Sequence, residues 1–115
     1  MAKIQFIKGI DEQTVPEIRL TRSRDGNTGT AIFSFINPTV FLLHSSSQNY
    51  GEITGMYLQD DEGELSTRNV TANFVNGKPK AVEAVYLIRN KSGWDRLMRF
   101  INKYAEDKNM SFYKS

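Results

Sequence analysis

Few side chains in this sequence have chemical capacity. His44 is the one imidazole, and Ser45, Ser46 and Ser47 follow it directly, which sets hydroxyls beside a base. Working nucleophile–base pairs are usually brought together from separate elements, and no G-x-S-x-G turn is present. A surface histidine in a polar loop is the weightier reading. Asp60, Asp61, Glu62 and Glu64 cluster the oxygens that hard cations take. Their spacing is not that of a calcium-binding loop, and a solvated acidic turn is the plainer account. Residues 25–29, Asp-Gly-Asn-Thr-Gly, have glycines but neither the lysine nor the strand-to-helix setting of a phosphate loop, so they read as a turn. The chain has no cysteine, which excludes a disulfide framework, a thiolate metal site and a cysteine nucleophile. The single histidine excludes a multi-histidine metal site. No catalytic, cofactor or metal motif survives, and the expectation is a protein that is not an enzyme and carries no cofactor.

Basic residues make better candidates. Arg19, Arg22 and Arg24 fall on one strand and turn, and Arg96, Arg99 and Lys103 on one side of a helix. RNA-binding sheets combine such charge with aromatics that stack bases, and Phe33, Phe35, Phe74 and Tyr86 lie on strands here. A small RNA- or single-strand-binding domain is therefore the alternative function. Against it, the net charge is only +2, from 15 basic and 13 acidic residues, far from the bias of non-specific nucleic-acid binders. The aromatics are also needed as core. Two glycosylation sequons, at 69–71 and 109–111, carry no weight without a secretory signal.

These residues must be held by elements, and 115 residues suit one domain, 1–115, with one modest core. Residues 3–10 alternate as a strand and show no signal-peptide apolar region; no apolar run approaches the ~20 residues of a spanning helix. Residues 17–23 and 29–37 read as a hairpin around the turn at 24–27, and Asn37-Pro38 ends it. Val40 to Leu43 is a short apolar run that should pack. Residues 53–59 make a further strand.

The spine is the stretch 64–89, centred on Asn76-Gly77, the strongest short hairpin signal. A two-residue turn sets Val75 opposite Lys78 and Phe74 opposite Pro79. Counting outward pairs Ala72 with Ala81, Val70 with Glu83, Arg68 with Val85 and Glu64 with Arg89. Ser92 then fits a helix N-cap with Asp95 three residues on, and the helix runs to about 107. Trp94, Leu97, Met98, Ile101, Tyr104 and Ala105 form its apolar stripe, extended by Phe100. The tail from Met110, with Phe112 and Tyr113, adds a short strand or lies over the helix. The fold class is α+β: a twisted antiparallel sheet of about five to six strands with one main C-terminal helix. One helix leaves a sheet face or edge for a partner strand.

Several stretches together resemble one family. They are Ile4-Gln5-Phe6-Ile7 with Gly9; Val15-Pro16 leading into the run from Ile18 to Gly26; Ile53-Thr54-Gly55-Met56-Tyr57; Asp61-Glu62-Gly63-Glu64; Thr67-Arg68; Asn76-Gly77-Lys78-Pro79; Glu83-Ala84; Trp94-Asp95-Arg96 with Met98-Arg99-Phe100; and the closing Phe112 and Lys114-Ser115. The chain is similar in these to the Psb28 family of photosystem II assembly factors. It departs in Leu97 and Ile101, where larger or methionine side chains are expected, and in a longer, serine-rich 41–50 segment. The resemblance implies a soluble, non-catalytic protein that binds photosystem II assembly intermediates transiently on the cytoplasmic (stromal) face of the thylakoid. Its partners would be the reaction-centre core and the inner antenna subunits, with no nucleic acid, membrane association only through protein, and a monomer or weak homodimer. Sheet extension by partner segments and protection of an immature reaction centre belong to the same expectation. A resemblance that starts at Lys3 favours a cyanobacterial or plastid-encoded protein. For the interface, Arg22, Arg24, Arg68, Arg96 and Arg99 are the expected partner-binding residues, each able to meet a carboxylate of a partner loop.

Overall fold

Asn76 and Gly77 both adopt positive φ, 54° and 78°, as a two-residue hairpin turn demands. The structure around them is a computed structural model describing residues 1–41 and 53–108. Its strands are β1 (Lys3–Ile7), β2 (Ile10–Asp11), β3 (Glu17–Arg22), β4 (Gly29–Ile36), β5 (Met56–Asp60), β6 (Gly63–Thr67), β7 (Val70–Val75) and β8 (Lys78–Ile88), followed by the helix α1 (Lys91–Asp107). The expected α+β class, antiparallel pairing and C-terminal helix are all present. His44, the three serines after it, the end of the Val40–Leu43 run and the tail from Met110 lie outside the described residues.

The strands divide between two four-stranded sheets rather than forming one. One has the order β2-β1-β5-β6 and the other β3-β4-β8-β7. The division falls inside the stretch expected to be a single long hairpin. β6 turns back on β5, with Glu64 opposite Gln59 and Thr67 opposite Met56, while β7 pairs with β8. Glu64 therefore never meets Arg89, nor Arg68 Val85. At the crossing, the Val70 amide donates to the Arg68 carbonyl at 2.9 Å, and the Thr67 hydroxyl donates to the Val85 carbonyl at 2.7 Å.

The turn-proximal pairs are as expected, Val75 with Lys78 and Phe74 with Pro79. Beyond them a bulge between Asn73 and Phe74 shifts the ladder, so that Ala72 faces Val82 and Val70 faces Ala84. One extra residue in β8 changes every later pairing. The shifted register puts Val70 beside Ala84 and Phe33 in one row facing the core.

β3 and β4 alternate cleanly. Ile18, Leu20, Ala31, Phe33 and Phe35 are buried, whereas Glu17, Arg19 and Thr21 face out. β1 is buried over most of its length, and its Phe6 meets Phe35 of the other sheet edge-on, with centroids 4.9 Å apart. α1 lies against β5 and β8 and buries Trp94, Leu97, Phe100, Ile101, Tyr104 and Ala105, the expected stripe with Met98 only partly covered. Its N-cap is Asn90, not Ser92. The Asn90 side-chain oxygen accepts from the Gly93 amide at 2.7 Å and from the Ser92 hydroxyl at 2.8 Å. An asparagine in extended conformation caps as well as serine, and here it sits two residues earlier.

Candidate partner-binding surface

The basic side of α1 is not a free surface. Arg96, Arg99 and Lys103 recur at i, i+3 and i+7 and so share one stripe. The β5–β6 turn brings Asp60, Asp61 and Glu62 against that stripe. Arg96 grips Asp60 with two bonds of 2.9 and 2.7 Å, Arg99 holds Glu62 at 2.9–3.1 Å, and Lys103 donates to Asp61 at 2.7 Å and Glu62 at 2.9 Å. The Asp60 side chain is 0% exposed and that of Arg96 only 17%. Burial alone would raise the Asp60 pKa, but bonds from Arg96, the Glu62 amide and Lys103 outweigh it and hold the carboxyl below its ordinary range. Hydrogen bonds from Arg99 and then Lys103 bring Glu62 down to about 2. Bonds to Asp61 and Glu62 raise Lys103. The acidic turn, read as solvated, and the basic helix face, read as a candidate for a partner, close on each other. Matched triplets of opposite sign were the available signal.

The five arginines expected at a partner interface thus separate. Arg96 and Arg99 are engaged in this clasp. Arg22 and Arg24 lie at the β3–β4 turn and Arg68 at the crossing between sheets, all three exposed. The Arg22 guanidinium sits over the Trp94 ring, 4.8 Å from its centroid, and its Nε donates to the Gly26 carbonyl at 2.9 Å.

An open strand edge lies elsewhere. β7 is the outer strand of its sheet, and its sequence Val-Thr-Ala-Asn-Phe-Val has no charge and no proline. Natural edge strands are usually blunted by such residues. By contrast β3, the opposite edge, carries Glu17, Arg19 and Arg22. The Val85 amide donates to the Asn69 carbonyl, so alternation along the ladder turns the peptide groups of Ala72 outward. Every residue from Thr71 to Lys80 is exposed, Phe74 at 62% and Val75 at 55%.

Two further polar features were not legible in advance. Glu12, just after β2, is 3% exposed and accepts from the Thr39 amide and hydroxyl, the Val40 amide and the Thr14 amide at 2.8–2.9 Å. It ties the N-terminal strands to the turn after β4. Buried Gln5 bonds Asp11 and the Gly9 amide and closes the β1–β2 turn. Only a three-dimensional arrangement assigns such roles.

The described residues thus combine an uncharged edge strand and exposed apolar side chains with a two-sheet scaffold and a clasped helix. The chain belongs to the Psb28 family: the family model described as "Psb28 protein" matches residues 4–112. It is 56% identical over 115 residues to the "Photosystem II reaction center Psb28 protein" of Pyropia yezoensis, covering 100% of this chain and 98% of that one. The protein of the same description from Guillardia theta is 57% identical over 115 residues, with 100% and 97% covered, and that from Cyanophora paradoxa 51%, with 100% and 98% covered. None of the helices among the described residues is long and apolar enough to cross a membrane.

Proposed function

We propose that this chain is a non-catalytic assembly factor of photosystem II, peripheral at the cytoplasmic (stromal) face of the thylakoid. It binds assembly intermediates transiently through the reaction-centre core and inner antenna subunits, and it protects the immature reaction centre. Recognition is by sheet extension: a partner segment lies along β7 and takes its outward peptide groups. The observation that carries this reading is the uncharged, six-residue free edge of β7, projecting with Phe74 and Val75 exposed. Membership of a family whose relatives are described as photosystem II reaction center proteins supplies the class of partner.

The arginines act on other parts of the partner: Arg68 stands at the crossing just before β7, and Arg22 and Arg24 at the turn after β3, the opposite edge. Arg24 and Arg68 are exposed and meet carboxylates of partner loops, and Arg22 adds to the same field. Arg96 and Arg99 join them where a partner carboxylate replaces Asp60 or Glu62 in the clasp. The protein acts as a single domain and as a monomer, since an edge occupied by partner is closed to a second copy. A tagged chain incubated with solubilised thylakoid membranes tests this: recovered reaction-centre and antenna subunits, identified by mass spectrometry, support it. Recovery equal to that on a tagged unrelated protein overturns it. Charge reversal at Arg24 and Arg68 should reduce recovery at low salt and lessen its further loss as salt is raised.

A further inference from the structure

Asn76 carries a primary amide next to an unhindered backbone nitrogen, and it is the only asparagine of the chain followed by glycine. The others precede lysine, methionine, tyrosine, phenylalanine, threonine or valine, whose side chains crowd the following nitrogen, or proline, which has no N–H. Asn76 and Gly77 are the two central residues of the β7–β8 turn, with φ of 54° and 78°. Residues 71–80 are all exposed, and a Cβ at Gly77 would meet nothing within 4 Å. Val75 and Lys78 close the turn as a pair, which leaves the Gly77 amide outside the ladder. Among the described residues the Asn76 carboxamide makes no hydrogen bond.

The surroundings favour attack by the Gly77 nitrogen on that carboxamide. Lys78 and Lys80 flank the turn, and no carboxylate occurs between Arg68 and Val82. Positive charge beside Gly77 stabilises both the amide anion and the oxyanion that forms on the Asn76 side chain. Ring closure needs rotation about the Asn76 Cα–C bond, out of the turn conformation, so its rate follows opening of the tip. A ribbon end with every residue exposed opens far more readily than a packed core. By contrast, the Asn90 side chain is held by the Ser92 hydroxyl and the Gly93 amide, and Asn102 lies inside α1, where helical bonds fix its backbone.

We propose that Asn76 is a site of spontaneous deamidation through a succinimide, and that the isoaspartyl product loosens the free end of the β7–β8 ribbon. The Gly77 nitrogen loses its proton to solvent base and bonds to Asn76 Cγ. The Cγ–Nδ2 bond then breaks, and that nitrogen leaves as ammonia with a proton taken from water. Water opens the resulting ring at either carbonyl. Opening at Cγ gives aspartate; opening at the backbone carbonyl gives isoaspartate. No oxidation or reduction is involved. Both products add a negative charge, and the second also routes the main chain through Cβ, which lengthens it by one atom. A two-residue turn has no slack for that atom, so the Val75–Lys78 pair and then the Phe74–Pro79 pair separate. The reaction needs only water and does not depend on what docks along β7.

The experiment warms the full chain in mildly alkaline buffer and samples it with time. Trypsin cuts after Arg68 and Lys80 but not before Pro79, so one peptide, residues 69–80, carries Asn69, Asn73 and Asn76. Fragmentation should place a gain of one mass unit on Asn76 about ten-fold faster than on Asn69, Asn73 or Asn102. A carboxyl methyltransferase specific for isoaspartate should label this peptide in wild type and not in Asn76→Gly, whose glycine keeps positive φ at the first turn position. The deamidated fraction, separated by ion exchange, should lose the cross-strand Overhauser contacts of Val75 with Lys78 and keep those of Phe33 with Ala84. Fresh Asn76→Asp, which has the charge without the extra chain atom, should keep both. Asn76 changing no faster than Asn73 and Asn102 overturns the site. Intact Val75–Lys78 contacts in the deamidated fraction, or their equal loss in fresh Asn76→Asp, overturn the loosening through a longer chain.

Discussion

Gly29→Ala is the substitution whose cost follows most directly from the structure. The glycine has ordinary, non-positive φ, so alanine meets no backbone strain, and the lost freedom of the unfolded chain would favour it by about 0.4–1 kcal/mol. Space decides otherwise. A Cβ at this position overlaps Trp94 Cζ2 and the Thr21 carbonyl oxygen outright and comes within 3.1 Å of Trp94 Cε2. The carbonyl belongs to the neighbouring strand and cannot rotate away; the indole is buried under the sheet and hydrogen-bonded to Thr28. Forced repacking costs about 1–3 kcal/mol, and a rigid obstacle on each side places this case near the top of that range. Net destabilisation should be about 2 kcal/mol, which lowers Tm by about 8 °C for a chain of this length. Trp94 is the only tryptophan, so its emission reports the same site without interference. Thermal unfolding and fluorescence of G29A should show the lower Tm together with altered emission. Gly93→Ala, where the added carbon meets only the Asn90 oxygen at 3.2 Å and Ile88 at 3.6 Å, should stay within about 0.5 kcal/mol of wild type. A G29A protein with wild-type Tm and unchanged emission would refute the reasoning.

Glu12→Gln should cost about 2–4 kcal/mol in urea unfolding, since it sets an amide among buried N–H donors that all require an acceptor, whereas Glu83→Gln on the open face should change little. Acid should loosen the clasp. Glu62 has a folded pKa of about 2 against an ordinary 4.5, so its contribution is complete above about 4.5 and is lost as the pH falls toward 2. Wild type should therefore lose Tm faster than Arg99→Gln over that interval, and the two curves should converge near pH 2. Differences of that kind should shrink in 1 M salt, because Glu62 and Arg99 are accessible to screening ions. Parallel curves throughout would show that the ion pairs contribute no stability.

Periodicity made most of the scaffold legible. Ile18 and Leu20 alternating with arginine and threonine, Phe33 and Phe35 two apart, and Trp94 to Ala105 at helical spacing each report burial of one face, which a single strand or helix fixes locally. The Asn-Gly turn likewise set its first two pairs. Pairing farther out depends on whether an extra residue is inserted, and the bulge at Asn73/Phe74 has no local signature. The split at Arg68-Asn69 was hidden for a similar reason: residues 64–75 are strand-like throughout, and only competition between β5 and β8 for partners divides them. The charged surface was read least well. Arg96 and Arg99 sit 36 and 37 residues from Asp60 and Glu62, and no period in the sequence relates them. Gly29 was visible only as the start of a strand, because its purpose is the space it leaves for Trp94.

Ala72 offers the most direct test of sheet extension. Its amide points away from β8, so proline there removes an outward donor without removing a ladder bond, which an edge strand tolerates. Ala72→Lys, which puts a charge on the same edge, guards against an effect peculiar to proline. The measurement is recovery of photosystem II subunits from solubilised thylakoids by wild type, A72P and A72K, each first shown by circular dichroism and Tm to be folded. Loss of those subunits with both folded variants is the predicted result. Undiminished recovery with both would contradict docking along β7.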